Sequence, residues 1–448
     1  MPESKDIIVI GGGLAGCEAA HQLAQRGHRV KLYEMRYSGR PEKPGICTPA
    51  HQTGLLAELV CSNSLKSEET SNAHGLLKAE LKMLDSLILR CAEDCRVPAG
   101  KALAVDRERF AKAVTEAVSK NENIEVIPEE SPEIPAGPTI VASGPLTSDR
   151  LAAKISELTG TGSLFFYDAI APIVSADSLD RGKMFKASRY SDEEGEYWNA
   201  PLTKQQYQDF VGELARAQKH EMHGFEAGHF YEGCLPVEEL ARRDTNALRF
   251  GMMKPVGLYN PHEGRRPYAV LQLRQENSAG TMFNLVGFQT QLRTGEQRRV
   301  FGMIPGLEKA EFLRYGSMHR NTFLHGPSLL NPGMQSRSRN GLFFAGQLTG
   351  MEGYVESVAS GLVAGINLHL HLKGREGAVP PETTMTGALC RYVSQGGKGK
   401  DFQPMNANFG LLPKLENDIQ GKKDRYRAYA SRALNDMKRF CDLLSDAE

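Results

Sequence analysis

Several things are missing from this chain, and each absence narrows what it can be. No stretch approaches roughly eighteen consecutive apolar residues, the length that a membrane span needs. The opening "MPESKDIIVIGGG" runs from a polar leader straight into a strand, with no basic region, apolar stretch and cleavage site. The chain therefore reads as cytoplasmic, with no membrane partner. No G-x-x-x-x-G-K-[ST] occurs, which argues against a P-loop nucleotidase. "HEMH", His220 to His223, spaces its histidines by three and not by the four of a zincin helix, so no metal site is expected. Net charge is absent too: 54 Lys and Arg balance 54 Asp and Glu. A polyanionic partner then has to be met by a local patch and not by a general field. The eight cysteines are too sparse for a secreted disulfide framework and are expected as reduced thiols. Cys91 and Cys95, in "CAEDC", lack the C-x-x-C spacing of redox pairs and on a helix share one buried face.

What is present begins with ordinary soluble composition, 40% hydrophobic and 24% charged over 448 residues, enough for two or three domains. "DIIVIGGGLAGCEAAHQLAQRGHRVKLYE" reads as a buried strand, a glycine turn, an Ala-rich helix ending at Gly27 and a second strand ending in Glu34. Gly11, Gly13 and Gly16 have the G-x-G-x-x-G spacing: one glycine for the tight turn, one for close approach of a pyrophosphate, one for helix packing. Together with Gly12, Leu14 and Ala15 they put the phosphates on a helix N-terminus, while Glu34 is placed to hold a ribose hydroxyl. This motif alone does not choose between FAD and a nicotinamide cofactor. Two later segments favour FAD. "TIVASGPLTSDRLAAKI" ends a strand in a turn at Gly144, and "GLFFAGQLTGMEGYVESVASGLVAGINLHLHL" is a strand, a turn bearing Gly346 and Gly350, and a long helix. A second strand-turn-helix returning to the first sheet is how many flavoproteins complete the cofactor site, with the helix dipole aimed at flavin or pyrophosphate.

Residues 160 to 330 lack the βαβ rhythm, and pieces such as "YAVLQL" and "FNLVGFQT" suggest an inserted α+β domain. Leu240 to Leu330 carries thirteen Lys and Arg against six Asp and Glu, an excess of seven. Arg242, Arg243, Arg265, Arg266, Arg298 and Arg299 belong to it, with Tyr268, Phe288 and Phe301 interleaved, a pattern that suits either RNA phosphates and bases or a solvated face. The expected organisation is a first FAD-binding part over 1–160, an inserted α+β RNA-binding domain over 161–330, a second FAD-binding part over 331–413, and a solvent-exposed amphipathic helical tail over 414–448. Two cysteines stand out. Cys61 lies in "ELVCSNSLKS" and Cys234 in "FYEGCLPVEELARR", at a loop-to-helix junction followed by two arginines, where dipole and guanidinium charge favour a thiolate. From the residues alone, each is either a small buried hydrophobe or a nucleophile.

The combination "GGGLAGCEAA", "ELVCSNSLKS", "EGCLPVEELARR", "GLFFAGQLTGMEGYVESVASGLVAGIN" and "FQPMNANFGLLP", spanning Asp6 to Pro413, closely resembles the folate- and FAD-dependent tRNA (uracil-5-)-methyltransferases. The resemblance implies an α/β, Rossmann-like FAD-binding fold of the glutathione-reductase type with an insertion. It implies transfer of a methylene from 5,10-methylenetetrahydrofolate, its reduction by FADH2, and delivery of the methyl to C5 of the T-loop uridine in tRNA. NADH or NADPH would recharge the flavin. Two family cysteines map onto Cys234, assigned as the nucleophile on uracil C6, and Cys61, placed near the flavin either to protect or assist the methylated cofactor or itself to add to the uridine. Tyr354 and His325 are suggested separately as neighbours of the folate. Ala200 stands where relatives often carry a cysteine, and the same chemistry on ribosomal RNA is the nearest competing expectation. A plain flavin-dependent oxidoreductase without an RNA substrate is the other.

Overall fold

A computed structural model of the chain describes residues 6–38, 40, 42–48, 50–159, 164–189, 195–220, 235–396, 402–417 and 419–447. A five-stranded parallel sheet is its organising element, in the order Leu342–Phe344, Thr139–Val141, Ile7–Ile10, Val30–Tyr33 and Ile124–Ile127. The central strand, "IIVI", pairs on both edges, Ile7 with Val30 and Ile8 with Thr139. Parallel strands covered by helices on both faces bury near-continuous apolar runs, which is why this strand lacks alternation. The strand Leu342–Phe344 closes the other edge, Leu342 opposite Thr139. The sequence-predicted return of a late strand-turn-helix to the N-terminal sheet is thus realised.

Small residues set how closely the two long helices approach. Leu14–Gln25 and Tyr354–Leu372 are buried along nearly their whole lengths. A Cβ on Gly361 meets the Ala15 carbonyl oxygen at 2.2 Å, and one on Gly365 meets that of Ala19 at 3.0 Å. The helices touch backbone to backbone there, and both present their first turns to the same side of the sheet.

The second unit is a six-stranded antiparallel sheet, in the order Phe185–Ala187, Tyr197–Leu202, Ala269–Gln275, Met282–Leu285, Ile173–Ser175 and Phe312–Arg314. The helix Lys204–Arg216, started by a Thr203–Gln206 capping box, covers it over a core that includes Phe210, Phe288 and Phe301. The antiparallel pair Leu164–Ala169 and Met318–Phe323 brackets this unit in the sequence.

Three expectations need correcting. "FNLVGFQT" is a strand only to Leu285, because Gly287, at φ 78°, turns the chain away. Phe288 and Phe301 are fully buried in the sheet core and cannot meet RNA, while Tyr268 is half-buried beneath the Arg249 guanidinium, 4.2 Å from its ring centroid. The tail helix Lys422–Ala447 is amphipathic but not free-standing. It buries Ala430, Ala433, Met437 and Phe440 in the core around the parallel sheet and lies along the helix Ala73–Met83. Cys91 and Cys95 are buried free thiols, as the spacing suggests.

One long-range cap makes stability pH-dependent. Glu80, fully buried, accepts the N–H groups of Met385 (2.7 Å) and Thr386 (2.8 Å) at the start of the helix Met385–Gln395, and the Thr386 hydroxyl at 2.7 Å. Burial pushes its carboxyl from 4.5 up to about 7, against the pull of those hydrogen bonds. A folded-state pKa above the unfolded one means that the folded form holds the proton more tightly. The resulting stability is full below the unfolded value and is lost as pH rises through about 7. The melting temperature of the native protein should therefore fall relative to that of Glu80→Gln between about pH 5 and pH 8. Parallel melting profiles for the two proteins would remove Glu80 as the cause.

Candidate active site

The first strand ends in a turn that only glycine can make. Gly11 has φ 106°, and a Cβ on it meets the Ala142 carbonyl oxygen at 2.5 Å. A Cβ on Gly16 meets the Gly11 carbonyl oxygen at 1.8 Å, so the helix starts hard against the turn. Gly13 is its N-cap, with no side-chain cap, and the first-turn N–H groups lie at the C-terminal end of the central strand. Glu34 stands across from them at the end of the second strand. Its carboxylate accepts the Gly12 N–H at 2.8 Å and the Arg36 N–H at 2.9 Å and pairs with the Arg36 guanidinium at 3.1 Å. Arg36 in turn reaches Glu58 (3.3 Å), which also takes the N–H groups of Gln52 and Thr53. A carboxylate oxygen has two lone pairs, so Glu34 keeps acceptor capacity for a hydroxyl.

These residues line one cleft: Gly11, Gly13, Leu14, Ala15 and Glu34 on one side, and Gly144, Gly346, Tyr354 and Ser357 on the other. Two uncapped helix N-termini meet there, since Gly353, at φ 118°, starts the Tyr354–Leu372 helix without a side-chain cap. Donors and positive dipole ends from two helices, a close-approach turn and an acidic acceptor at the second strand fit a flavin dinucleotide's pyrophosphate and ribose.

The cleft opens into a cavity of about 340 Å³, within the range that takes a small-molecule substrate. Val60, Pro145, Leu146, Gln347 and Tyr354 line both, so a ligand lying along the cleft ends at the cavity. Cys61 is in its wall. The Tyr354 hydroxyl accepts the N–H groups of Cys61 (2.9 Å) and Ser62 (3.1 Å) and lies 2.9 Å from the Cys61 sulfur. With both acceptor positions used, its proton is free to donate to sulfur. Burial, and after it the nearby Cys61, pushes the Tyr354 phenol well above its usual value.

The Cys61 segment is held from several directions. Ala57 (φ 52°) and Lys66 (φ 65°) flank it in left-handed backbone, which costs a non-glycine residue about 1–2 kcal/mol each. Arg274 donates to Asn63 and to Ser62, both at 2.8 Å, and Arg107 donates to the Leu59 carbonyl at 2.9 Å. Arg107, Arg274 and Arg314 are each close enough to Cys61 to gain from a negative charge on its sulfur. Lys78, whose pKa burial lowers to about 8, donates to the Leu65 carbonyl at 2.7 Å. Removing the phenol hydroxyl with Tyr354→Phe leaves two part-buried N–H groups without this acceptor, at a cost of up to about 1–3 kcal/mol. It also removes a donor to the sulfur, so alkylation of Cys61 by iodoacetamide at fixed neutral pH should slow. Faster alkylation in this variant would contradict that orientation of the hydroxyl.

Not every residue marked in the sequence reaches the cleft. Gly12 packs against Leu56 and Glu34, and Gly16 against the turn behind it, so both shape the site from beneath. Gly350, at φ 91°, lies under Phe402. Tyr354 lines cleft and cavity, whereas His325 packs edge-on against Phe402 at 5.5 Å and lines neither. Cys234 lies outside the described residues. The helix Val237–Arg243 that follows it is tied to the cavity wall, because the Val237 N–H donates to the carbonyl of Gln289, which lines the cavity. Of the arginines, Arg242 contacts Glu239 at 3.6 Å, Arg265 pairs with Glu263, Arg299 with Glu213 and Glu296, and Arg298 lies over Tyr315. Arg243 and Arg266 are exposed and form no ion pair within the described residues. Sequence reasoning singled out neither Arg107 nor Asn63, and counted Arg274 and Arg314 only within the basic segment. Their pattern carries no motif, and only the "SNS" after Cys61 hinted at hydrogen-bonding neighbours.

Comparison with known proteins gives these observations a setting. Residues 6–376 match the family described as "Glucose inhibited division protein A". A Pelotomaculum thermopropionicum protein named methylenetetrahydrofolate--tRNA-(uracil-5-)-methyltransferase TrmFO is 54% identical over 441 residues, 98% of this chain and 99% of its own length. A protein of the same name from Moorella thermoacetica is 54% identical over 432 residues, covering 96% of this chain and 97% of its own. Among solved structures, Aquifex aeolicus GidA in its form II crystal superposes with a TM-score of 0.69 at 16% identity, over 97% of this chain and 74% of that one. That likeness establishes a shared fold, a parallel sheet with a second, largely antiparallel unit.

Proposed function

The chain belongs to the methylenetetrahydrofolate--tRNA-(uracil-5-)-methyltransferase family, and from that premise we propose how its own residues carry the reaction. The protein methylates C5 of a uridine in tRNA, with methylenetetrahydrofolate as carbon donor and FAD as cofactor. The observation that carries the site assignment is the continuity of the dinucleotide cleft with the cavity that holds Cys61. Bound in that cleft, FAD supplies the electrons that bring a methylene to the methyl level, with NADH or NADPH as their source.

Uracil C5 is a weak nucleophile, and a thiolate corrects this. Addition of sulfur to C6 pushes the C5–C6 π electrons toward the C4 oxygen and makes C5 enolate-like. C5 then bonds to the methylene carbon as that carbon's first bond to the folate nitrogens breaks. A base takes the C5 proton as the second carbon–nitrogen bond breaks and the nitrogen leaves with the electron pair. A hydride from the two-electron reductant then completes the methyl as the C5–C6 double bond re-forms and the thiolate leaves. Cys234 is the proposed thiol at C6, and Cys61 works at the cofactor end, oriented by the Tyr354 hydroxyl. Glu352, which accepts the Gln347 side-chain amide, and Glu356, which accepts the Ala407 N–H at 3.0 Å, are the carboxylates in the cavity wall proposed as the base for the C5 proton. Arg274 positions the Cys61 loop through Asn63 and Ser62. Residues 161–330 form the RNA-facing insertion in this reading, with Arg242, Arg243, Arg265, Arg266, Arg298 and Arg299 as candidate phosphate contacts. No helix among the described residues is long and apolar enough to cross a membrane, which suits an enzyme that meets tRNA in the cytoplasm.

The test uses purified holoprotein with tRNA unmodified in the T-loop, methylenetetrahydrofolate labelled in its methylene, and NADH. Label is expected in 5-methyluridine of the T-loop. NADH oxidation by the flavin with no label in tRNA would overturn the assignment. Cys234→Ala should abolish a covalent RNA adduct, and an adduct lost only in Cys61→Ala would exchange the two roles.

A further inference from the structure

The aromatic residues that the sequence interleaves with the arginines turn out to be core, yet the same unit exposes others. Phe250 is 71% exposed, Val256 45% and Tyr259 61%. All three lie on one ribbon, "RFGMMKPVGLYNPHEGRR", Arg249 to Arg266. It is firmly anchored. Met253 and Leu258 are buried beneath it, and the Met253 carbonyl accepts the Val270 N–H of the neighbouring strand at 3.0 Å. The Arg189 guanidinium holds the carbonyls of Lys254 and Val256, and the Asn260 N–H closes a turn onto the Arg265 carbonyl at 3.0 Å. Large apolar side chains held out into water on an ordered frame mark a contact surface.

Charge and position identify the partner. The ribbon carries Arg249, Lys254, Arg265 and Arg266 against the single carboxylate Glu263. The Arg249 guanidinium already lies over the Phe250 ring, 5.2 Å from its centroid, and Tyr259 has its hydroxyl beside Gly264, next to the two arginines. The ribbon also borders the active site. A Cβ on Gly287, which lines the Cys61 cavity, would meet Met252 at 2.7 Å. Aromatic faces rimmed by cations bind unpaired nucleotides, because every base has a face to stack and every linkage a phosphate.

Resting on the reading that tRNA is the substrate, we infer that Phe250 and Tyr259 are stacking platforms for unpaired bases of the RNA flanking the target uridine. Arg265 and Arg266 take the adjoining phosphates.

The experiment is steady-state methylation by holoenzymes of Phe250→Ala, Tyr259→Ala, Phe250→Trp and Arg266→Gln, each first checked for a native flavin spectrum and melting temperature. The KM for tRNA should rise about tenfold in Phe250→Ala, and Phe250→Trp should restore it. The salt dependence of KM should keep its slope in Phe250→Ala and lose about one unit in Arg266→Gln. KM values within about twofold of native in both alanine variants, while the native enzyme methylates normally, would overturn the platform and leave the function standing. Loss of self-association in Phe250→Ala with unchanged KM would reassign the ribbon to contacts between copies. A native enzyme that oxidises NADH yet never labels tRNA would instead overturn the functional reading itself, and the platform with it.

Discussion

Gly16→Ala yields a protein that no longer retains FAD. A Cβ at this position lies 1.8 Å from the Gly11 carbonyl oxygen, far inside any tolerable contact, and the atom it meets is backbone. Relief requires the helix to move off the turn or the turn to open. The turn cannot adjust in place, because Gly11 sits at φ 106° and packs against the Ala142 carbonyl. Either movement displaces the first-turn N–H groups that face the cleft and separates them from Glu34, which is fixed by the Gly12 N–H. Gly27→Ala is the matched control. It also has a positive φ, 79°, but a Cβ there meets nothing within 4 Å, so only about 1–2 kcal/mol of backbone strain is added and flavin should be kept. Flavin absorbance per mole of purified protein reads both variants. Stoichiometric flavin in Gly16→Ala would show that the turn is not what seats the cofactor.

Glu276→Ala is expected to have the largest effect on stability. Glu276 is 2% exposed and pairs with the Arg107 guanidinium at 2.6 Å. Arg107 opens the helix Arg107–Ser119 beside the parallel sheet, whereas Glu276 follows the strand Ala269–Gln275 of the antiparallel one, so the pair rivets the two units together. Neighbouring bonds run the same way: Asp106 accepts the N–H and hydroxyl of Ser278 at 2.9 and 2.6 Å, and Asn63 donates to the Gln275 carbonyl at 2.9 Å. Removing the carboxylate leaves a partly buried guanidinium, 16% exposed, without its counter-charge, a loss of up to about 3–5 kcal/mol. Arg107 also holds the Leu59 carbonyl, so the Cys61 loop should loosen as well. Urea unfolding of the holoprotein measures the first effect, and the rate of Cys61 alkylation measures the second. A change below about 1 kcal/mol would mean that the pair is no stronger than a surface ion pair.

Local features of the flavin side were legible because each depends on neighbours in sequence. A strand, a glycine turn and a helix succeed one another within residues 7–25, and the spacing of Gly11, Gly13 and Gly16 states a backbone requirement that the fold then meets. The late strand-turn-helix was legible for the same reason, and its two packing glycines, Gly361 and Gly365, are four residues apart on one helix face. Cys61 was different. Its surroundings in sequence are Val, Ser and Asn, and only resemblance to a family marked it as chemical.

The antiparallel unit shows the limit most clearly. A count of arginines with nearby aromatics picked out Phe288 and Phe301, which are core, and passed over Phe250 and Tyr259, which are exposed. Composition cannot tell these apart, because exposure depends on which side of an antiparallel sheet a residue faces and on what packs over it. By itself the sequence determined the dinucleotide turn, the discontinuous parallel sheet and the charge balance of the chain, since all of these follow from local spacing and totals. Only the tertiary structure decided that Tyr354, Arg107 and Arg274, from three separate elements, meet around the Cys61 loop. Burial and charge act through space, and the chain separations involved, up to 293 residues between Cys61 and Tyr354, leave no periodic trace to read.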